Sequence, residues 1–542
     1  MAGLAAAFGS GAMTNSIPEI ENSECILVTG SNTSETHPII ATRILRAKRK
    51  GAKIIVADPR RIHLSRIADI HVRQKLGTDV ALLNGIMHVI VKKGWHDETF
   101  IRERCENFEA LKAVLEKYTP EKAASISGVN AELIEKIAEY FANAKSSSIL
   151  YAMGITQHTT GVDNVKSVCN LSMLTGNLGK ESSGVNPLRG QNNVQGACDM
   201  GGLPNVYSGY QSVGDESIRN KMAKLWGVER LPENAGLTLT ELPDAIQEGK
   251  IKGILIVGEN PDLSDPDRKH VEEAFRKLEF MVLIDIFKNE TARFAHVLLP
   301  AASFAEKEGT FTNTERRVQR VRKAIEPIGE SQPDWWIIKE LSNRFGYQMN
   351  YESPEDIMEE IRKVTPSYGG ITYGRLDGEG LQWPCPNTDH PGTKFLHKDR
   401  FTRGKGLFHP IEYKDPAEIP DEEYTFWLTT GRSYFHYHTG TMTRNSPSLH
   451  KEVSDAYVEL NPQNAKEMDI KDGDIVKLST RRGEITTRAY LTERVEKDTV
   501  FMPFHFVESC ANELTNPVFD PIAKIPEYKV CAVNVKKFVD SQ

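Results

Sequence analysis

Residues 186–201, NPLRGQNNVQGACDMG, surround one basic residue, Arg189, with neutral hydrogen-bonding side chains: Gln191, Asn192, Asn193 and Gln195. No obvious nucleophile or general base accompanies them, so the stretch reads as the binding half of a site. A lone loop arginine is ordinarily a surface ion-pair partner, but this one is set in a wall of neutral hydrogen bonders. A second polar segment, TTGRSYFHYHTGTMTR at 429–444, carries His436 and His438 two residues apart. On a strand these would share one face and suggest a metal pair. No carboxylate or cysteine stands at ligand spacing, so the segment reads as a clamp for a polar cofactor, with Gly, Thr and Arg as donors. The seven cysteines are scattered and form no CxxC pair. An iron-sulfur or structural zinc site within this chain is therefore not expected, and Cys198 reads as a small buried hydrophobe.

The elements that must position these groups are legible upstream. CILVTGSNTSETHPIIATRILRAKRKGAKIIVAD at 25–58 reads as strand, polar turn with Gly30, helix with apolar Ile40, Ile44 and Ala47, and a strand ending at Asp58. The same grammar recurs at 253–285, where VGENP stands in the place of TGSNT and Asp285 in that of Asp58. Ligands of open parallel sheets sit beyond the carboxyl ends of the strands. Gly30, Asn32, Gly258 and Asn260 fall there, as do Gly154 and Gln157 after a third strand-like run at 147–158. Neither unit has GxGxxG, which argues against ordinary NAD binding. An aspartate ending a second strand can accept from a ribose hydroxyl or from the paired N–H donors of guanine. For an isolated unit of this kind, plain sheet architecture is the more economical reading; two matched units weaken it.

Residues 130–144, with Leu133, Ile134, Ile137, Ala138 and Phe141 on one stripe, predict an amphipathic packing helix. Pro- and Gly-rich sequence from about 350 to 422 predicts covering loops and a linker, after which DIVKLST and EITTRAYL flank the turn RRGE and predict a compact β-barrel. A net charge of -7 gives no electrostatic case for nucleic acid. No apolar run reaches the length of a membrane span, and the apolar start lacks the charged region of a signal peptide, so a cytoplasmic location is expected.

Taken in order, GAMTNSIPEIE, GSNTSETHPI, ADPRR, MLTGNLGK, GVNPLRGQNNVQGACDMG, EKEGTFTNTERRVQ, HYHTGTMTR and IPEYKVCAV resemble the catalytic alpha subunit of molybdenum- or tungsten-dependent formate dehydrogenases, of the dimethyl sulfoxide reductase superfamily. The match runs through essentially the whole chain. The resemblance implies an α/β protein with doubly wound, Rossmann-like pterin-dinucleotide-binding domains and a C-terminal barrel of the double-psi type. Its expected lobes are 1–191, 192–300, an irregular covering region at 301–422, and a barrel domain at 423–542. It also implies two molybdopterin guanine dinucleotides holding Mo or W, which would account for the duplicated unit. The first set of cofactor contacts would be Gly30, Asn32, Asp58, Arg60, Gly77, Asp79, Gly154 and Gln157. The second would be Gly258, Asn260 and Asp285 with Arg432, His436, His438, Thr439, Gly440, Thr443, Asn512, Tyr528 and Lys529. Gln191 would join the cofactor contacts, and Arg189 would orient formate as the catalytic arginine.

The implied reaction is formate to CO2 with two electrons passed to an iron-sulfur relay, reversible as CO2 reduction. The implied partners are iron-sulfur or flavin electron-transfer subunits. No residue of this chain is expected to ligate the metal. In the family, a selenocysteine or cysteine followed by histidine lies just upstream of AGLAAAFGSGAM, and an iron-sulfur domain lies further upstream. The expectation is that an upstream selenocysteine codon was read as a stop, with a split gene or a truncation as the runner-up origin, and that the chain is catalytically incomplete by itself. Two alternatives are a noncatalytic cofactor-binding subunit and another molybdopterin oxidoreductase such as a nitrate reductase.

Overall fold

The computed structural model describes residues 1–539. Five parallel strands, β1 (Cys25–Thr29), β2 (Lys53–Ala57), β3 (Ile70–Val72), β4 (Ser147–Tyr151) and β5 (Gly184–Pro187), form a sheet in the order 3-2-1-4-5. The residues of β1 and β4 are buried throughout, as apolar strands with both faces covered must be. Helices α1 (Pro38–Arg49), α2 (Asp79–Lys92), α3 (Ala131–Asn143) and α4 (Gly161–Leu174) cover it. The expected stripe of α1, Ile40, Ile44 and Ala47, is buried. In α3, Ile134, Ile137, Ala138 and Phe141 are buried, but Leu133 is exposed because it lies at the edge of the stripe. Strand order reverses between β1 and β4, the switch point at which open α/β sheets hold ligands in a crevice at the carboxyl edge.

A second parallel sheet, order 8-7-6, contains β6 (Gly253–Val257), β7 (Phe280–Asp285) and β8 (Val297–Pro300). Helix α5 (Val194–Asp199) precedes it in the chain, and α6 (Arg268–Arg276) connects β6 to β7. One side packs as a core of Ile256, Met281 and Leu283 against Val271, Ala274 and Phe275. Leu255 is 47% exposed and Phe280 51%, so this sheet is far less covered than the first.

The C-terminal strands β9 (Phe426–Gly431), β10 (Tyr457–Leu460), β11 (Ile475–Ser479), β12 (Glu484–Leu491), β13 (Thr499–Pro503) and β14 (Cys531–Lys537) close into a barrel of order 9-13-10-12-11-14. The alternation in EITTRAYL follows from closure: Ile485, Thr487 and Ala489 point inward, with exposed residues between them. Compactness divides the chain into two units, neither contiguous in sequence. One comprises Met1–Leu188, Leu263–Lys269 and the chain from Phe395 onward; the other comprises Arg189–Asp262 and His270–Lys394. The Pro-rich connection after 394 thus packs with the first sheet, where Asn84 Nδ2 donates to Ile411 O at 2.9 Å and Asn170 Nδ2 to His409 O at 2.7 Å.

Candidate functional site

In the unit that holds the first sheet, the chain turns sharply after β1 and β4, and the two turns touch. Gly154 N–H donates to Gly30 O at 3.0 Å, and a Cβ on Gly30 would lie 2.6 Å from the Ile155 nitrogen, at a φ of +57°. These two glycines are required by each other's backbones. Beside them, Asn32 is buried to the extent that, among the described residues, neither Nδ2 nor Oδ1 meets a hydrogen-bond partner, and neither meets solvent. An amide desolvated in this way costs about 1–3 kcal/mol unless a ligand supplies the missing bonds.

Asp58 follows β2 and accepts from Arg60 N–H at 2.9 Å; burial raises its pKa to about 6. Asp79 opens α2, accepts from Gln74 Nε2 at 3.1 Å, and is likewise raised by burial. The Arg60 guanidinium is committed elsewhere. It forms a bidentate pair with Glu459 of the barrel, 3.1 and 2.7 Å, and lies over the Phe501 ring. Gly77, at φ +77°, would bring a Cβ to 2.5 Å from Pro416.

The barrel meets the same crevice through Lys529, whose backbone N–H reaches Gln157 O at 3.4 Å and whose Nζ donates to Thr430 O at 2.6 Å. Burial first, then the Arg432 and Arg60 guanidinium groups, pull the Lys529 ammonium down to about 7. Burial also lowers Arg432. An anion beside these enclosed cations would stabilise both, so the cluster can receive an anionic ligand.

The histidine segment does not form a strand. It is a loop after β9, with His438 at φ +50°, so the alternation that would put both rings on one face does not apply. Both ring nitrogens of His436 are used, Nδ1 by Thr443 Oγ1 at 3.1 Å and Nε2 by Val453 O at 2.7 Å. Burial lowers His438 to about 4, with Arg432 adding to the effect, and lowers His505 to about 3. His505 Nε2 accepts from Ser433 N–H at 2.8 Å, and Nδ1 bonds His438 O, which holds the loop. Among the described residues no group of three or more His, Cys, Asp or Glu is placed to hold a metal ion. Thr439 Oγ1 bonds Thr441 Oγ1 at 3.0 Å, and Gly440 takes φ +76° where a Cβ would crowd Arg444 and His505 O. Asn512 Nδ2 donates to the carbonyls of Leu263 and Ser264, and the Tyr528 hydroxyl also donates to Ser264 O, at 2.8, 3.0 and 2.8 Å. These two side chains pin the loop entering α6.

In the other unit, the counterpart loop differs. Asn260 Nδ2 donates to Glu290 Oε2 at 2.6 Å, while its Oδ1 accepts from Thr291 N–H and Oγ1 at 3.2 and 2.7 Å. Asp285 accepts from Ile286 N–H and Asn289 Nδ2 at 2.6 and 2.8 Å. Gly258 has φ +63° with no atom within 4 Å of its virtual Cβ.

The same unit contains Arg189. Its N–H donates to Thr314 Oγ1 at 3.2 Å and its Nη2 to Gln195 Oε1 at 3.3 Å. Gln191 is half-buried. Asn193 Oδ1 accepts from Thr312 N–H at 2.9 Å and fixes the loop before α5. Four residues absent from the sequence reading stand behind this wall. Asp199, 1% exposed, accepts at Oδ1 from Gln195 Nε2 and Tyr210 OH, and at Oδ2 from Tyr368 OH and Trp383 Nε1, at 2.8, 2.7, 2.6 and 2.6 Å. The i,i+4 spacing of Gln195 and Asp199 was the available signal for one of these contacts. Nothing local in the sequence points to Tyr210, Tyr368 or Trp383.

The molybdopterin oxidoreductase family matches residues 3–344, and the molydopterin dinucleotide binding domain matches residues 426–532. The F420-dependent formate dehydrogenase subunit alpha of Methanocaldococcus jannaschii is 55% identical over 540 residues, covering 99% of this chain and 80% of that protein. Formate dehydrogenase H of Escherichia coli is 42% identical over 548 residues, covering 100% and 77%. The assimilatory nitrate reductase catalytic subunit of Bacillus subtilis is 38% identical over 540 residues, covering 96% and 76%. Among solved structures, acetylene hydratase from Pelobacter acetylenicus superposes with a TM-score of 0.76 at 19% identity, over 99% of this chain and 80% of that one, which speaks for the fold. The parallel sheets, the closed barrel and these matches together make the chain a member of the molybdopterin oxidoreductase family.

Proposed function

We propose that this chain is the catalytic alpha subunit of a formate dehydrogenase, which oxidises formate to CO2 and runs in reverse as a CO2 reductase. The observation that carries the reading is Arg189, set in an amide wall by Thr314 and Gln195, in a chain 55% identical to a formate dehydrogenase alpha subunit. A guanidinium matches the planar, two-oxygen geometry of a carboxylate, and a wall of neutral amides adds hydrogen bonds without a competing charge. Arg189 would orient formate and balance its charge. Bound pterin guanine dinucleotides, with molybdenum or tungsten, would supply the two-electron redox chemistry.

The residues present fit such a group. The unsatisfied Asn32 amide, the Lys529–Arg432 pair and the buried Asp58 offer polar and charged partners to an anionic dinucleotide. Gln157, Asp79, Thr439 and Thr443 would complete that lining, and Gly258, Asn260 and Asp285 are the candidates for the second dinucleotide. Gly30, Gly77, Gly154 and Gly440 would shape it through their backbones. Arg60, His436, Asn512 and Tyr528 would support it indirectly, through the bonds they already make. Electrons would leave to an iron-sulfur or flavin partner. A cytoplasmic setting suits the cysteines, all seven of which are buried and unpaired.

The test is dye reduction by the cofactor-loaded protein with its electron-transfer partners. Formate should drive reduction, and Arg189→Ala should lower kcat/KM by about 10²–10³-fold, the scale for removing one charge-stabilising donor. Nitrate should not reoxidise reduced dye. Nitrate turnover without formate turnover would replace the reading by the nitrate reductase alternative. A protein that holds the dinucleotides and turns over neither would be the noncatalytic subunit.

A further inference from the structure

Behind Arg189 the unit encloses a carboxylate that, among the described residues, touches no cation at hydrogen-bond distance but receives four neutral donors: the Gln195 amide, the hydroxyls of Tyr210 and Tyr368, and the Trp383 indole N–H. A carboxylate accepts and does not donate, so it dictates which end of the Gln195 amide faces it. The NH2 group is drawn to Asp199 at 2.8 Å and to Tyr210 OH at 3.0 Å. The amide oxygen is thereby turned the other way, onto Arg189 Nη2 at 3.3 Å. Reversed, the amide would set NH2 against guanidinium and oxygen against carboxylate, repulsive at both ends. The i,i+4 placement of Gln195 and Asp199 on α5 keeps the two in register, while Tyr368 and Trp383 approach the carboxylate from distant parts of the sequence.

We propose that Asp199 is a positioning residue for substrate binding: it fixes the Gln195 amide, and through it the Arg189 guanidinium, in the orientation that receives the substrate carboxylate. This rests on the reading of Arg189 as the formate-binding residue. Asp199 itself touches no substrate. Its effect must therefore pass through Gln195, and the two residues must be coupled.

A double-mutant cycle on the cofactor-loaded protein tests this, with formate KM and kcat from dye reduction and formate binding by calorimetry on the dithionite-reduced enzyme, where turnover cannot proceed. In Asp199→Asn one acceptor becomes a donor, Gln195 loses its preferred orientation, and KM and the formate Kd should rise by about ten-fold with kcat changed less than three-fold. Gln195→Leu should give a similar rise, and the double variant should be no worse than the more affected single one. If Asp199→Asn does not fold, Tyr210→Phe carries the test. It removes a hydroxyl bonded to both the carboxylate and the amide, and should raise KM about three-fold. Full persistence of the Asp199→Asn effect in the Gln195→Leu background, or an unchanged KM in Tyr210→Phe, would overturn the proposal. Those results leave the formate reading intact provided Arg189→Ala still abolishes binding. A parent enzyme that neither binds nor oxidises formate removes both.

Discussion

The two strand–loop–helix units use one grammar to different ends. In the first, β1 is buried throughout and Asn32, just beyond it, is enclosed with both amide atoms lacking a partner. In the second, β6 is partly exposed and Asn260, the matching residue, makes three hydrogen bonds to its own surroundings, through Glu290 and Thr291. The glycines differ in the same sense. Gly30 is pressed against the backbone after β4, whereas Gly258 faces open space. Sequence repetition preserved the turn, but the packing around each turn decides whether its polar groups are spent on the fold or kept for a ligand. The fold leaves the Asn32 amide over in the first loop, whereas in the second it engages the Asn260 amide through Glu290 and Thr291.

The largest expected difference between the units is at the glycines. Gly30→Ala adds the cost of a left-handed residue to a 2.6 Å collision with backbone that cannot swing aside, about 2–5 kcal/mol together. Gly258→Ala has only the first cost, about 1–2 kcal/mol, since no atom lies near its Cβ. Chemical denaturation of the two variants should separate them by at least about 1 kcal/mol, and equal losses would break the contrast.

Much of this was legible beforehand, for physical reasons that can be located. Parallel strands buried on both faces must be continuously apolar, so ILV and IIVA announced the first sheet, and closure of the barrel requires the alternation seen in EITTRAYL. The loops between them were placed by their glycines and amides. What did not show is which polar side chains are already committed. Arg60 reads as a cofactor contact, and nothing in the sequence shows that Glu459, almost four hundred residues away, already holds it in two bonds, with Arg60 7% and Glu459 0% exposed. The HYH spacing reads as one face of a strand until the left-handed turn at His438 removes the strand. Asp199 carries only its i,i+4 spacing to Gln195 as a signal, because the rest of its importance comes from Tyr368 and Trp383, which only tertiary structure brings to it.

The asparagines give a second, smaller contrast with opposite signs in two measurements. Asn260→Leu leaves Glu290 and the Thr291 hydroxyl without their partner and should lower stability by about 1–3 kcal/mol in the cofactor-free protein. Asn32→Leu removes an amide that has no bonds to lose, so stability should hold or rise. Loading should respond the other way. Pterin released on denaturing the purified protein should fall most in Asn32→Leu, and retention of full loading there would mean that the enclosed amide is not waiting for the dinucleotide.

The smallest effect concerns the charge of Lys529, beside the loop after β4. In the cofactor-free protein Lys529 is depressed to about 7 by burial, Arg432 and Arg60, whereas an unfolded lysine keeps its proton to about 10.4. Between these values the unfolded chain binds the extra proton, so stability rises as pH is raised above 7 and is lost as pH falls through 7. The slope for one group is at most about 1.4 kcal/mol per pH unit. Lys529→Met should flatten it between pH 7 and 8. A bound polyanion reverses the preference, because it favours the ammonium form. Loading near pH 8 should therefore take up a proton in the parent and not in Lys529→Met, a difference that titration in buffers of different ionisation enthalpy would register. Proton uptake unchanged by the substitution would show that Lys529 does not face the ligand, and would leave the enclosed Asn32 amide as the feature that sets the first loop apart from the second.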